Sequence, residues 1–224
     1  MQEKGHAADK RTIAAALQRR RLGERERIMR SMLELSGEIG YRNATVRKIL
    51  AHDGGNVGRF YSHFQSREHC FAEAHEAEIE RLYSALSAAA LAPESRRDGL
   101  RAALEELFRY ANEQPLIASA VFREVYVARG TALAKHEGVL ERLSRAIDDA
   151  CRQSLEVRHA PPPLAASFMV GGIEEFMCAQ LAKGEPQRPL QALPELMHLL
   201  VAPYFGDQAA ADELRRPPPS AWPE

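Results

Sequence analysis

The sequence predicts an all-α protein, and three observations carry that reading. Apolar residues recur at helical spacing over nearly all of its 224 residues. No hairpin signal sits between alternating apolar runs. Prolines and several glycines punctuate the periodic stretches, at Gly40, Gly54-Gly55, Pro93, Pro161-Pro162-Pro163 and Gly184. A chain of this length holds one sizeable domain, or two small ones sharing a long helix.

The elements follow in order. Residues 1–22 are polar and basic and read as a mobile arm, with a weakly helical piece at Ile13–Leu17. From Arg25 onward Ile28, Met32, Leu35 and Ile39 fall at i, i+4, i+7 and i+11, one face of a helix that Gly40 closes. Thr45 is an N-cap before Val46, Ile49 and Leu50, a two-turn helix ended by Gly54-Gly55. Asn56 is a second N-cap and opens a short helix carrying Phe60, Tyr61 and Phe64. Ser66 caps a long helix reaching Leu91, roughly 39 Å at 1.5 Å per residue.

Pro93 interrupts the pattern. Beyond it lie helices at 98–112 (Leu100, Leu104, Leu107, Phe108), 115–129 (Ile117, Val121, Phe122, Val125) and 132–155 (Leu140, Leu143, Ile147, Cys151). Pro161-Pro162-Pro163 is a linker, because proline cannot occupy a helix interior without breaking it. A helix at 164–183 stops at Gly184 and Pro186, and one at 190–202 stops at Pro203. The proline-rich tail, which holds the single tryptophan Trp222, is expected to be disordered.

The net charge of −1 hides a split. Residues 1–70 carry 14 Lys+Arg against 8 Asp+Glu, and the remainder carries 16 against 23. A basic amino-terminal third on an acidic remainder points to two tasks in one chain. No apolar run approaches the roughly 20 residues that span a bilayer, so no membrane partner is expected. The amino terminus is too polar for a secretory signal. Cys70, Cys151 and Cys178 are far apart and lack CxxC spacing, which points to a reducing, cytoplasmic compartment and against a disulfide framework or zinc knuckle.

Two short helices joined by a tight glycine-containing turn match a DNA-binding helix-turn-helix. In the second, Phe60 and Phe64 are four apart and anchor one face, leaving Val57, Arg59, Tyr61 and Ser62 outside. Arginine reads guanine bidentately and valine touches a thymine methyl. On spacing alone, an ordinary helical hairpin with solvated charges fits equally well. The residues themselves go further. TVRKILAHDGGNVGRFYSHFQSREHCF, from Thr45, resembles the helix-turn-helix signature of the TetR family of bacterial transcriptional regulators. Thr45, Val46, Ile49, Gly54, Gly58, Phe60, Tyr61, His63, Phe64, Ser66, Arg67 and Glu68 match in register.

The resemblance implies roles. Thr45, Tyr61, His63 and Arg67 would contact phosphates, Arg67 at a helix N-terminus that itself attracts anions. Asn56, Val57, Gly58, Arg59 and Ser62 would face the major groove, and Arg47 is a further phosphate contact. Arg19-Arg20-Arg21 would either reach an adjacent minor groove or stay a solvated tail. The sequence departs from the family pattern at Asp53, Gly55 and Asn56. Loss of an apolar side chain at Gly55 loosens the second helix by about 1 kcal/mol.

The helix at 164–183 is apolar almost all round, so it needs a partner on each side, and a homodimer supplies one. Met169, Gly172, Ile173 and Met177, with Leu193, Leu196, Met197 and Leu200, are the expected dimer interface, like the family's pair of carboxy-terminal helices. Candidate walls of a ligand site are Phe108, Phe122, Tyr126, Phe168 and Phe176, with Glu124, His136 and Glu175 as polar candidates.

Catalytic patterns are weak. Glu-x-x-His occurs at Glu3/His6, Glu156/His159 and Glu195/His198, but only the last lies on a convincing helix, and one pair cannot hold two metals. No phosphate-binding loop, zinc-protease or hydrolase-elbow motif is present. No enzyme, metal or cofactor is expected. The organisation read here is an arm at 1–22, a helix-turn-helix domain at 23–70, a ligand-sensing and dimerisation domain at 71–206 and a disordered tail at 207–224. The expected function is one-component transcriptional regulation: a homodimeric repressor on a palindromic operator, released by a small hydrophobic ligand. An activator or effector-independent regulator of the same fold, and a helical ligand-binding protein with a decayed DNA motif, are the alternatives.

Overall fold

A computed structural model describes residues 2–54, 57–154, 157, 161–184 and 188–219, and every regular element among them is helical. Helix α1 (Gln2–Ile39) starts far upstream of Arg25. The backbone of the predicted arm is therefore helical and continuous with the first helix. Alanine, glutamine, lysine and arginine dominate the stretch and no proline interrupts it, which is the composition a helix favours. A 3₁₀ turn (Tyr41–Asn43) leads to α2 (Val46–Asp53), α3 (Val57–His63) and α4 (Arg67–Leu91). Two predicted caps form: Thr45 Oγ1 accepts the Lys48 N–H and Ser66 Oγ accepts the His69 N–H. Gly54 ends α2 in the left-handed region at φ +73°, where glycine is unstrained. The Gly55 and Asn56 expectations lie outside the described residues.

Helix α5 (Arg96–Glu113) folds back on α4, with Gly99 against the Ala90 carbonyl. The predicted 115–129 helix is three pieces: α6 (Pro115–Ser119), a π-helical segment (Ala120–Glu124) and α7 (Val125–Ala128). Then come α8 (Gly130–Arg152), α9 (Ala165–Lys183), α10 (Arg188–Gln191), α11 (Leu193–Phe205) and α12 (Asp207–Glu213). Pro203 lies inside α11 rather than after it.

The tail expectation is corrected over 207–216. Glu213 is fully buried; its carboxylate meets Arg101 at 2.7 Å and Arg97 at 3.2 Å, both on α5. Arg216 pairs with Asp98 at 2.7 Å. This segment is ordered by charges more than a hundred residues away, so its own polar composition was misleading.

One continuous apolar core runs from Ile28 and Met32 in α1 to Val201 and Tyr204 in α11. The amino-terminal helices and the rest meet at α1 and α6, where Gly37 sits directly on the Leu116 carbonyl. A second junction is polar: Glu124 Oε2 accepts the Tyr41 N–H at 2.7 Å.

Candidate functional site

The α2–α3 unit has one buried and one open face. Phe60 and Phe64 are buried, rings 5.5 Å apart, among Ile28, Met32 and Ile49. Val57, Gly58, Arg59, Tyr61 and Ser62 are exposed, as are Thr45 and Arg47 at the start of α2. Exposure of valine and tyrosine above half on one short helix is unusual unless the face meets something.

Neighbouring groups engage four of the residues with expected roles: Arg59, Arg21, His63 and Arg67. Arg59 Nε lies 2.8 Å from Glu24 Oε1 on α1, and Arg21 donates to the Ser62 carbonyl at 3.1 Å. Arg21, one of the three arginines at 19–21, is thus drawn onto α3. The His63 side chain is buried, 3.6 Å from Glu24 Oε2, so it is not a side chain free to reach a phosphate. Arg67 lies 4.4 Å over the Tyr41 ring and donates to the Tyr41 and Arg42 carbonyls at 3.2 and 3.3 Å. Its guanidinium ties the start of α4 to the 3₁₀ turn. Sequence spacing offered no signal for the Glu24 contacts, because they join residues about 35 or more positions apart.

The carboxy-terminal helices enclose a cavity of about 390 Å³ between α4, α5, α8 and α9. Leu82, Leu86, Leu104, Leu107, Leu143 and Ile147 form much of its wall. Of the predicted ligand residues only Phe122 lines it. Phe108 is buried against Phe176, ring centroids 6.1 Å apart; Phe168 is 84% exposed; Glu175 points outward on an exposed position. Glu124 is committed to Tyr41.

The residues expected at a dimer interface fall on both sides of α9 and α11. Met169, Met177, Leu193, Met197 and Leu200 are buried within the protomer, and Met169, Ile173 and Leu200 line the cavity. Leu196 is partly buried against the core, and Gly172 is exposed. An all-round apolar helix gives no periodic clue to which side faces inward. The open side of α9 carries Phe168, Gly171, Gly172 and Glu175, preceded by the exposed Leu164; Leu199 on α11 is 65% exposed.

A buried polar knot lies beside the cavity. Glu174, one of the lining residues, accepts from Tyr126 Oη at 3.0 Å through Oε1, the oxygen that also lies 2.8 Å from His136 Nε2. Burial, then the Glu174 charge, raises the Tyr126 phenol above its ordinary range. The His136 ring is 5.2 Å from that of His75, which is fully buried. Burial, reinforced by His136, pushes His75 down to about 4, so it stays neutral with Nε2 3.3 Å from the Val121 carbonyl. Cys178 Sγ donates to the Phe122 carbonyl at 3.0 Å. Both carbonyls belong to the π-helical segment, where the wider turn displaces carbonyls from the regular α-helical ladder. That segment contributes Phe122 to the cavity and Glu124 to Tyr41, so it touches both halves of the molecule.

No protein-family model matches the chain, and no curated protein matches it. Solved structures do. The transcriptional regulator FadR from Bacillus subtilis, in complex with stearoyl-CoA, superposes with a TM-score of 0.69 at 18% identity, covering 79% of this chain and 97% of that one. The fatty acid degradation regulator FadR from Bacillus halodurans gives 0.67 at 16% identity, over 78% and 96%. A TetR-family transcription regulator from Marinobacter aquaeolei gives 0.64 at 18%, over 81% and 97%. The chain has the all-α, TetR-like fold that these regulators share. No helix among the described residues is long and apolar enough to cross a membrane.

Proposed function

We propose that the protein is a one-component transcriptional regulator: a homodimer that binds a palindromic operator through α3 and is released by a small apolar ligand in the carboxy-terminal cavity. The exposed face of α3, with Val57, Gly58, Arg59, Tyr61 and Ser62 presented on a pair of buried phenylalanines, carries the reading. That face holds the groups that read base edges and bond phosphates, on an anchored helix short enough to lie in a major groove. The cavity volume falls within the roughly 300–1,000 Å³ range of small-molecule sites. Coupling then needs only a ligand that prefers the conformation whose two recognition helices are wrongly spaced.

The dimer in this reading uses the open side of α9, with Leu164 and Phe168, and Leu199 on α11. The paired glycines Gly171 and Gly172 cost about 1 kcal/mol each in a helix interior, and a Cβ at either would meet open space in the protomer. A partner helix approaching there accounts for them. Phe168→Glu should therefore convert the dimer to monomer in sedimentation equilibrium while leaving the helical circular dichroism unchanged. A variant that stays dimeric removes this face from the interface.

Selection of purified protein against random duplexes at a fixed salt concentration tests the function directly. The expected product is a palindrome with half-site centres about one helical turn, roughly 34–36 Å, apart. Folded dimeric protein that enriches nothing overturns DNA binding. On the selected site, Arg59→Ala should lose about 1–3 kcal/mol of discrimination at one position of each half-site. Arg47→Gln should instead weaken every sequence alike and lower the salt slope by about 1 per half-site. Equal affinity of both variants and the parent on all duplexes would show that α3 and the start of α2 do not face the DNA.

A further inference from the structure

We infer that the cavity takes a single-chain amphiphile with an anionic head group, its head seated at Arg96; this rests on the proposed role of the cavity as an effector site. Three observations lead there. The first is shape. The lining runs along α4 from Ile79 to Leu91 and along α8 from Val139 to Cys151, about 18 Å in each case at 1.5 Å per residue. The cavity is a slot, suited to a chain rather than to a compact ring system.

The second is lining chemistry. Apart from the weakly ionising Tyr83 and Cys151, only Arg96 and Glu174 among the lining residues are ionisable. Glu174 is already engaged by His136 and Tyr126, beside His75 and therefore at the end of the slot near Ile79. Between these ends the lining is mostly hydrocarbon, with the Ser87 hydroxyl and Tyr83 as its polar side chains besides the Cys151 thiol.

The third is an unmatched charge at the other end. Arg96 is the first residue of α5 and lies with Ala90 and Leu91 at the α4–α5 corner, where Leu91 is 69% exposed and the slot opens to solvent. It has no ion pair or hydrogen bond among the described residues. The adjacent charges are taken: Arg97 by Glu213 and Asp98 by Arg216. Glu94, two positions upstream, is exposed and is not paired with it. A half-buried, unpartnered guanidinium at the mouth of an apolar slot complements an anion tethered to an alkyl chain. It disfavours a cationic head, and a neutral hydroxyl gains from it only the weaker hydrogen bond of an uncharged acceptor.

Titration calorimetry on the full-length protein tests this with four probes below their micellar concentrations: dodecanoate, dodecyl phosphate, 1-dodecanol and dodecylammonium. Dodecanoate or dodecyl phosphate should bind about tenfold more tightly than the alcohol, as a charge-assisted hydrogen bond provides, and the tighter of the two names the head group. Dodecylammonium should bind least. Each methylene removed from the better anion should weaken binding about fourfold. Arg96→Gln should erase the advantage of the anions while leaving 1-dodecanol unchanged, which also reports an intact slot. Equal binding of alcohol and anions, or an Arg96→Gln variant that keeps the difference, overturns the head-group assignment and leaves the cavity an apolar site. Failure of all four to bind overturns the effector-cavity reading with it.

Discussion

Gly37→Ala should lower the unfolding temperature by roughly 10 °C, the result of about 3 kcal/mol of overpacking in a chain of this size. A Cβ at position 37 would lie 1.9 Å from the Leu116 carbonyl oxygen and 2.6 Å from its carbon. Both are backbone atoms of a packed helix, so no side-chain rotation relieves the clash and α1 must back away from α6. The contact joins the helix that supports α2 and α3 to the elements that surround the cavity. Differential scanning calorimetry against Gly138→Ala gives the comparison: position 138 has open space around its Cβ in the middle of α8, and alanine there should stabilise by about 1 kcal/mol. If both variants melt with the parent, α1 and α6 do not touch at Gly37.

Glu213→Ala should cost about 3–5 kcal/mol, because it strands a buried charge. Arg101 is 6% exposed and its guanidinium bonds the Glu213 carboxylate through both Nε and Nη2, at 3.2 and 2.7 Å. Arg97 and Arg216 share the second oxygen at 3.2 Å. Removing the anion leaves the buried Arg101 guanidinium without the carboxylate that accepts both of its hydrogen bonds. The double variant Arg101→Met, Glu213→Leu removes the stranded charge and should recover more than half of the loss, since an apolar pair of similar volume is often as stable as a buried ion pair. Urea unfolding of the parent, single and double variants reads both numbers. A Glu213→Ala variant within about 0.5 kcal/mol of the parent means that α12 is not docked on α5.

The same residues mark where sequence reasoning succeeded and where it stopped. Thr45 and Ser66 announce helix starts by a local bond to an N–H three residues on, so α2 and α4 were legible to the residue. Phe60 and Phe64 fixed the inner face of α3 because only one spacing buries both. Glu213 carries no such information: its partners stand on α5, and an isolated DQAAADELRR reads as solvated. The slot was missed for another reason. Leu104, Leu107, Leu143 and Ile147 have the spacing of core residues, and a helix face looks the same in sequence whether it meets a neighbour or an empty space. On α9 the difficulty was excess: with apolar residues on every side, Met169 and Phe168 were equal candidates for either face, and the structure buries the first and exposes the second. The break between α6 and α7 also had no local marker, since Ala120–Glu124 contains neither glycine nor proline.

The pairing of Arg59 with Glu24 bears on how the proposed regulator would scan a genome. A guanidinium already satisfied by a carboxylate gains from a base edge only what that edge offers beyond the carboxylate. At a mismatched position it would stay paired with Glu24 on α1, and the encounter would end quickly. At guanine, a bidentate acceptor would compete for it, and Glu24 would be left facing His63, 3.6 Å away. In such a regulator the internal ion pair would shorten visits to random sequence more than residence on the operator. Discrimination in this protein would then come as much from what holds the reading residue back as from what it finally touches.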